Sequence, residues 1–227
     1  MPQEHNIIAI ASPAGAGAIS VLRISGPEAW TLVASQFVSI HKKDLLKQKS
    51  HTIHLGHLVD GEKTLDQVLI SLFKGPHSYT GENVVEISCH GSSYIQQEII
   101  QLFLRKGCQM AQGGEFTLRA FLNGKLDLSQ AEAVADLIAS DNAAAHQIAM
   151  QQMRGGFSNE IKILRQELLD FASLIELELD FAEEDVAFAD RNAFGVLLKK
   201  ISRVLRQLID SFALGNVIKN GIPVAIV

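Results

Sequence analysis

Residues 113–133, GGEFTLRAFLNGKLDLSQAEA, decide how the rest of the chain is read. A glycine pair leads into Glu115, Phe116 and Arg119, then Ala120 and Phe121. Asn123-Gly124 is a turn dipeptide, and Lys125 and Asp127 follow it. Ser129 with Glu132 three residues on fits a capping box. The helix so begun is expected to run to about Met153, where Gly155-Gly156 breaks it. Charge and aromatic groups are denser here than a plain connector needs. The stretch therefore reads as a hand-over between two domains that also supplies side chains to a site.

Upstream of it the pattern is mixed strand and helix. Ile7–Ala11 and Ala18–Ser25 read as strands on either side of a small-residue loop, Pro13–Gly17. Gly26-Pro27 closes the second strand, and Pro27 is placed to start a helix over Glu28–Phe37. His51–Leu58 and Leu65–Phe73 flank an Asp60-Gly61 turn, a hairpin signal. Val84–His90 alternates as a strand, and Ile95–Arg105 reads as a helix. Downstream the period becomes 3.6. Leu164, Leu168, Phe171, Ile175 and Leu179 form one stripe, and Leu197, Ile201, Val204, Leu208 and Phe212 another. Phe181–Asn192 breaks the two. The fold class expected is α+β, a mixed-sheet domain over residues 1–122 followed by an all-α bundle over 123–219. The last residues, 220–227, read as a turn and a continuous apolar strand with nothing to pair to, the first strand of a further domain.

The 227 residues are 47% hydrophobic and 20% charged, with a formal net charge of −5. That balance is globular and gives no overall pull toward nucleic acid. Any RNA contact then depends on a local basic patch or on segments elsewhere. Cys89 and Cys108 are too few for a disulfide scaffold or a cysteine zinc site and fit a reducing compartment. The N-terminus lacks a signal-peptide pattern and no apolar run is long enough to span a membrane, so a cytoplasmic location is expected.

Five places offer chemistry. Arg23 sits in an apolar strand on the face of Ile19 and Val21. It is either an edge residue reaching water or a charge awaiting a carboxylate or a polar ring edge. The turn-rich loop Gly75–Asn83 carries His77, Tyr79 and Glu82, either solvated or binding. In Val84–His90, alternation puts Val85, Ile87 and Cys89 on one face and Glu86, Ser88 and His90 on the other. Cys89 is therefore read as a core residue rather than a nucleophile. Lys125 and Asp127 are either a solvated helix lead-in or part of a site. Glu183, Glu184 and Asp185 lack the spaced ligands of a calcium loop and read as an acidic helix end. His51, His54 and His57 do not share a strand face, so no metal site is read, and no catalytic residue is assigned.

Several long stretches in this order resemble one family, the tRNA-modification GTPases of the MnmE (TrmE) type. They are residues 8–26, IAIASPAGAGAISVLRISG; 75–91, GPHSYTGENVVEISCHG; 113–138, GGEFTLRAFLNGKLDLSQAEAVADLI; DFAEED at 180–185; and NGIPVAIV at 220–227. The resemblance implies a folate-binding, dimerising N-terminal domain and the first part of a helical domain. It also implies a GTPase domain whose GTP, magnesium and potassium sites lie outside these residues. It further implies action, with a flavin- and NADH-dependent partner, MnmG, on C5 of the wobble uridine of tRNA. By the same resemblance Arg23, Glu82 and Lys125 are the contacts to 5-formyltetrahydrofolate. Ala16 departs from it, since many members have arginine there. No role is assigned to Glu115, Arg119 or Asp127. The alternatives are a stand-alone aminomethyltransferase-like enzyme and a ligand-free dimerisation module. GTP turnover by these 227 residues alone is expected to be absent, which a phosphate-release assay on the purified chain checks.

Overall fold

The computed structural model describes residues 5–180 and 190–220. The chain divides into two units, residues 1–126 and 127–227. The expected acidic helix end at Glu183–Asp185 and the apolar strand after Gly221 lie outside the described residues, as do most of the Phe181–Asn192 break and the side chain of Phe212.

The first unit is built on a seven-stranded sheet. In chain order its elements are β1 (Ile7–Ile10), β2 (Ile19–Ser25), α1 (Ala29–Ala34), β3 (Phe37–Ser39), β4 (Thr52–Asp60), β5 (Lys63–Phe73), β6 (Val84–His90), α2 (Ser93–Arg105), β7 (Gln109–Met110) and α3 (Glu115–Leu122). The spatial order is β3-β4-β5-β6-β2-β1-β7. Every pairing is antiparallel except that of β1 with β7. The strands alternate as their sequence does. Leu22, Ile87 and Ile70 stand opposite one another on β2, β6 and β5, all fully buried. Burying a side chain of that size contributes about 1.5–3 kcal/mol, so this face dominates the unit's cohesion. Ala29 and Val33 of α1 and Ile99, Leu102 and Phe103 of α2 close over it. The spacing of the last three is the apolar stripe of an amphipathic helix.

Cys89 belongs to this core, as expected, and Cys108 joins it. Burial pushes both thiols up to about 11, with the Asp66 carboxylate adding to the effect at Cys89. At the end of β6, Gly91 exchanges backbone bonds with the Pro13–Gly17 loop: its carbonyl accepts from the Gly17 N–H at 3.0 Å. A Cβ on Gly91 would lie 2.3 Å from the Gly17 carbonyl oxygen, so only glycine lets the two backbones meet.

The second unit is helical, with α4 (Leu128–Ala139), α5 (Ala143–Met153), α6 (Gly156–Asp180) and α7 (Arg191–Asn220). Two expectations are corrected here. The helix begun after Lys125 does not run to Met153; it stops at Ala139, with Ser140 extended, and restarts under Asn142. Ser140, Asp141 and Asn142 favour caps and turns because their side chains compete for backbone bonds. Asn142 does so, its Oδ1 accepting from the Ala145 N–H at 2.9 Å. The cap of α4 is Asp127 rather than Ser129: Asp127 Oδ1 accepts from the Gln130 N–H at 2.9 Å, and Gln130 Oε1 accepts from the Asp127 N–H at 3.0 Å. Burial opposes ionisation of Asp127, but the Ser158 hydroxyl, the Gln130 N–H and Lys162 outweigh it and hold the carboxyl below its ordinary value.

Of the expected α6 stripe, Leu164 is buried and Phe171 stacks on Phe194 of α7 at 4.6 Å between ring centroids. Leu168, Ile175 and Leu179 are exposed. In the first unit α1 is shorter than expected, because Phe37 leaves the helix path and pairs with Leu58 in β3–β4. Asp127→Ala is expected to destabilise the helical unit by about 1 kcal/mol, the usual worth of an N-cap, and Ser129→Ala by much less. Thermal unfolding followed by circular dichroism distinguishes the two.

Candidate functional site

The face of β2 opposite the apolar core carries the chemistry. Arg23 and Ser25 point to it, because Leu22 and Ile24 take the other side. β2 lies between β1 and β6, so the edge-strand reading of Arg23 is excluded. The partner is Glu86, directly across the β2–β6 ladder. Arg23 Nε and Nη2 donate to Glu86 Oε1 at 2.9 and 2.7 Å. Each side chain is about a quarter exposed, at 25% and 26%. Two rings flank the guanidinium, Tyr79 at 5.1 Å and Phe116 at 5.6 Å from its central carbon, within the range of cation–π attraction.

Glu82 is held two residues further along the strand, about 7 Å at the ordinary rise. It does not neutralise Arg23. Its Oε2 accepts from the Ser25 hydroxyl at 2.6 Å, and Ser25 shares a 2.7 Å bond with Thr80. The other partner is Arg119 of α3, whose Nη1 reaches Glu82 Oε1 at 3.3 Å and Oε2 at 3.1 Å. Phe116 and Arg119 are three residues apart and so share a face of α3. That face meets β2 twice, Phe116 at Arg23 and Arg119 at the Ser25–Glu82 pair. Thr117 adds a 2.9 Å bond to the Tyr79 hydroxyl.

Arg119 is 1% exposed. Its Nη1 also donates to the His5 carbonyl at 3.1 Å, and its Nη2 to Glu115 Oε1 at 3.0 Å. Burial disfavours the charged form of Glu115, but the Gln112 N–H at 2.8 Å and Arg119 outweigh it, and the carboxyl is held below the usual glutamate range.

The Gly75–Asn83 loop is fixed by hydrogen bonds, although Pro76 and His77 are exposed. Ser78 Oγ donates to the Glu82 carbonyl at 2.5 Å, and the Glu82 N–H donates to Thr80 Oγ1 at 3.2 Å. From beyond α3, Asn123 Nδ2 donates to the Thr80 carbonyl at 2.7 Å. Lys125, exposed, donates from Nζ to the Pro76 carbonyl at 3.0 Å. Gly81 permits this approach: its φ is +82° and a Cβ would stand 3.1 Å from Asn123 Cβ.

Of the three expected contacts, Arg23 and Glu82 thus lie along one face of β2, and Lys125 is bonded to the loop that carries Glu82. Sequence reasoning names Tyr79 in its loop but leaves out its place beside Arg23, along with Glu86 as the partner of Arg23, Ser25, and the ring of Phe116. Alternation had put Glu86 on the polar face, and Glu115 and Arg119 are spaced as an i,i+4 helix pair, which are the two signals available. His90, the other polar residue at the end of β6, pairs with Asp66 at 2.7 Å. A separate open cleft of about 290 Å³, lined by His41, Lys43, His54 and Leu69 among others, holds none of these residues.

The arrangement offers two rings beside a guanidinium, N–H donors on Arg23 beyond the two that meet Glu86, a fixed carboxylate and an exposed ammonium. Residues 6–125 match the family described as GTP-binding protein TrmE N-terminus, and residues 128–223 match the MnmE helical domain. The chain is 75% identical over 227 residues to a protein named tRNA modification GTPase MnmE from Flavobacterium psychrophilum, covering 100% of this chain and 49% of the relative. It is 74% identical to the protein of that name from Flavobacterium johnsoniae, with the same coverage. For Christiangramia forsetii the figure is 67%, over 100% of this chain and 48% of the relative. The chain spans about half the length of the curated relatives it matches.

Because the Glu115 carboxyl has a lower pKa folded than unfolded, its ionisation stabilises the fold above the ordinary glutamate value and stops doing so as the pH falls. The difference in unfolding free energy between the wild type and Glu115→Gln is expected to be widest above about pH 5 and to shrink below about pH 4. Urea unfolding at stepped pH measures it.

Proposed function

This chain belongs to the TrmE/MnmE family, and from that premise we propose that its N-terminal unit binds a reduced folate of the 5-formyltetrahydrofolate class. The observation that carries the reading is the Arg23 guanidinium flanked by Tyr79 and Phe116, with Glu82 fixed on the same strand face. A pterin is flat, with an amino and N–H edge, and the tail of a folate ends in carboxylates. The residues present fit that chemistry. Glu82 accepts from the N–H edge, Arg23 and Lys125 meet carbonyl or carboxylate oxygens, where charge-assisted bonds are the strong ones, and the rings supply stacking area. When bound, the folate supplies a one-carbon unit; the protein orients it. Arg23 already has a counter-ion in Glu86, so a ligand anion approaches its remaining donors without leaving a buried charge unpaired.

The whole protein is a cytoplasmic tRNA-modification GTPase. It dimerises through the N-terminal unit and works with a flavin- and NADH-dependent MnmG partner on C5 of the wobble uridine of tRNA. Its GTP, magnesium and potassium sites lie in parts of the protein other than these residues. The relatives' name, tRNA modification GTPase MnmE, and the half-length match support the GTPase reading and its place outside these residues.

Calorimetric titration with 5-formyltetrahydrofolate is expected to show binding. Arg23→Ala and Glu82→Ala should each weaken it by about 1–3 kcal/mol, the cost of leaving a partner group unsatisfied. Unchanged affinity in both variants would place the pocket elsewhere. No heat at high-micromolar ligand from a folded sample would leave the ligand-free dimerisation module as the reading.

A further inference from the structure

The two oxygens of Glu82 are not equivalent. Oε2 accepts a short 2.6 Å bond from Ser25 and a 3.1 Å bond from Arg119, while Oε1 has, among the described residues, only the 3.3 Å contact to Arg119. A carboxylate oxygen accepts in two lone-pair directions, so Oε1 is the oxygen with capacity to spare. Its direction is set by Arg119, because Nη1 touches both oxygens while Nη2 anchors the guanidinium to Glu115. Arg119 is itself buried, and its Nε–H has no hydrogen-bond partner among the described residues. Leaving such a group unpaired is costly in a buried place. An arginine serving only to hold the fold would be expected to use that donor; here the guanidinium keeps two carboxylates aligned instead.

We propose that Arg119 is a positioning residue that clamps Glu82 against Ser25 and so presents Oε1 to the donor edge of the bound ring. The inference rests on the reduced-folate reading and adds to it the acceptor atom and the group that aims it. Glu82, Arg119 and Glu115 together carry one net negative charge, which draws an N–H edge and turns away a carboxylate.

A double-mutant cycle tests this. Wild type, Arg119→Lys, Glu82→Gln and the double variant are titrated with 5-formyltetrahydrofolate, each shown to be folded by a cooperative melt. Arg119→Lys keeps the charge but loses the two-armed geometry. It is expected to weaken binding about tenfold in the wild-type background, the loss of roughly one well-aligned charged bond, and to change it little in the Glu82→Gln background. An equal loss in both backgrounds, or wild-type affinity in Arg119→Lys, overturns the proposal while the folate reading stands. Failure of the wild type to bind overturns both. If Arg119→Lys does not fold, the pair Glu115→Gln with Arg119→Gln, which removes the cation together with one carboxylate, takes its place in the cycle and is judged by the same criterion.

Discussion

A guanidinium with 1% of its surface exposed has no water to fall back on. Taking an ion of that kind out of solvent costs several kcal/mol unless opposite charges meet it at close range. Around Arg119 that requirement reaches three separate pieces of chain. Glu115, one turn earlier, ties the charge to its own helix. Glu82 brings in the loop after β5, and Ser25, bonded to Glu82, brings in the end of β2. Helix, loop and strand are held in register by one cation, and the turn around Gly81 is what lets the loop come close enough.

β2 keeps its two duties apart by alternation alone. Leu22 and Ile24 face the packed side of the sheet; Arg23 and Ser25 face the polar side. A slip of one residue would exchange the two sets, burying the guanidinium among Ile70, Leu72 and Ile87 and exposing the leucine. The apolar face thereby protects the site: the energy that fixes the register of β2 against β6 is hydrophobic, and the ion pair of Arg23 with Glu86 inherits its geometry from it.

The hairpin at Asp60-Gly61, the strand Val84–His90 with Cys89 inward, and the helical second half were legible because each is announced by a local period. The TrmE/MnmE family membership was legible from whole motifs in order. Less local matters were not. The partner of Arg23 lies 63 residues away, and nothing within β2 says that β6 will be its neighbour. β3 and β7, three and two residues long, are too short to show a period. At α4, Asp127 and Ser129 are both good capping types with a residue three on that can reach back, Gln130 and Glu132, and the box that forms is the one of Asp127 with Gln130. The break at residues 140–142 is written in three cap-forming side chains, but the apolar pattern continues on either side and hides it. Arg23, Glu82 and Lys125 were named by resemblance. The flanking of Arg23 by Tyr79 and Phe116 required α3 to be laid on the sheet first.

The burial of the two thiols has a practical side. With Cys89 and Cys108 pushed up to about 11, only about one molecule in ten thousand carries a thiolate at neutral pH. Alkylating reagents and mild oxidants therefore meet a chain that is chemically quiet. A cysteine introduced at an exposed position on α3 or on the Gly75–Asn83 loop would be the reactive one against that background. Probes could then be placed beside Arg23 and Glu82 without removing either native cysteine from the core.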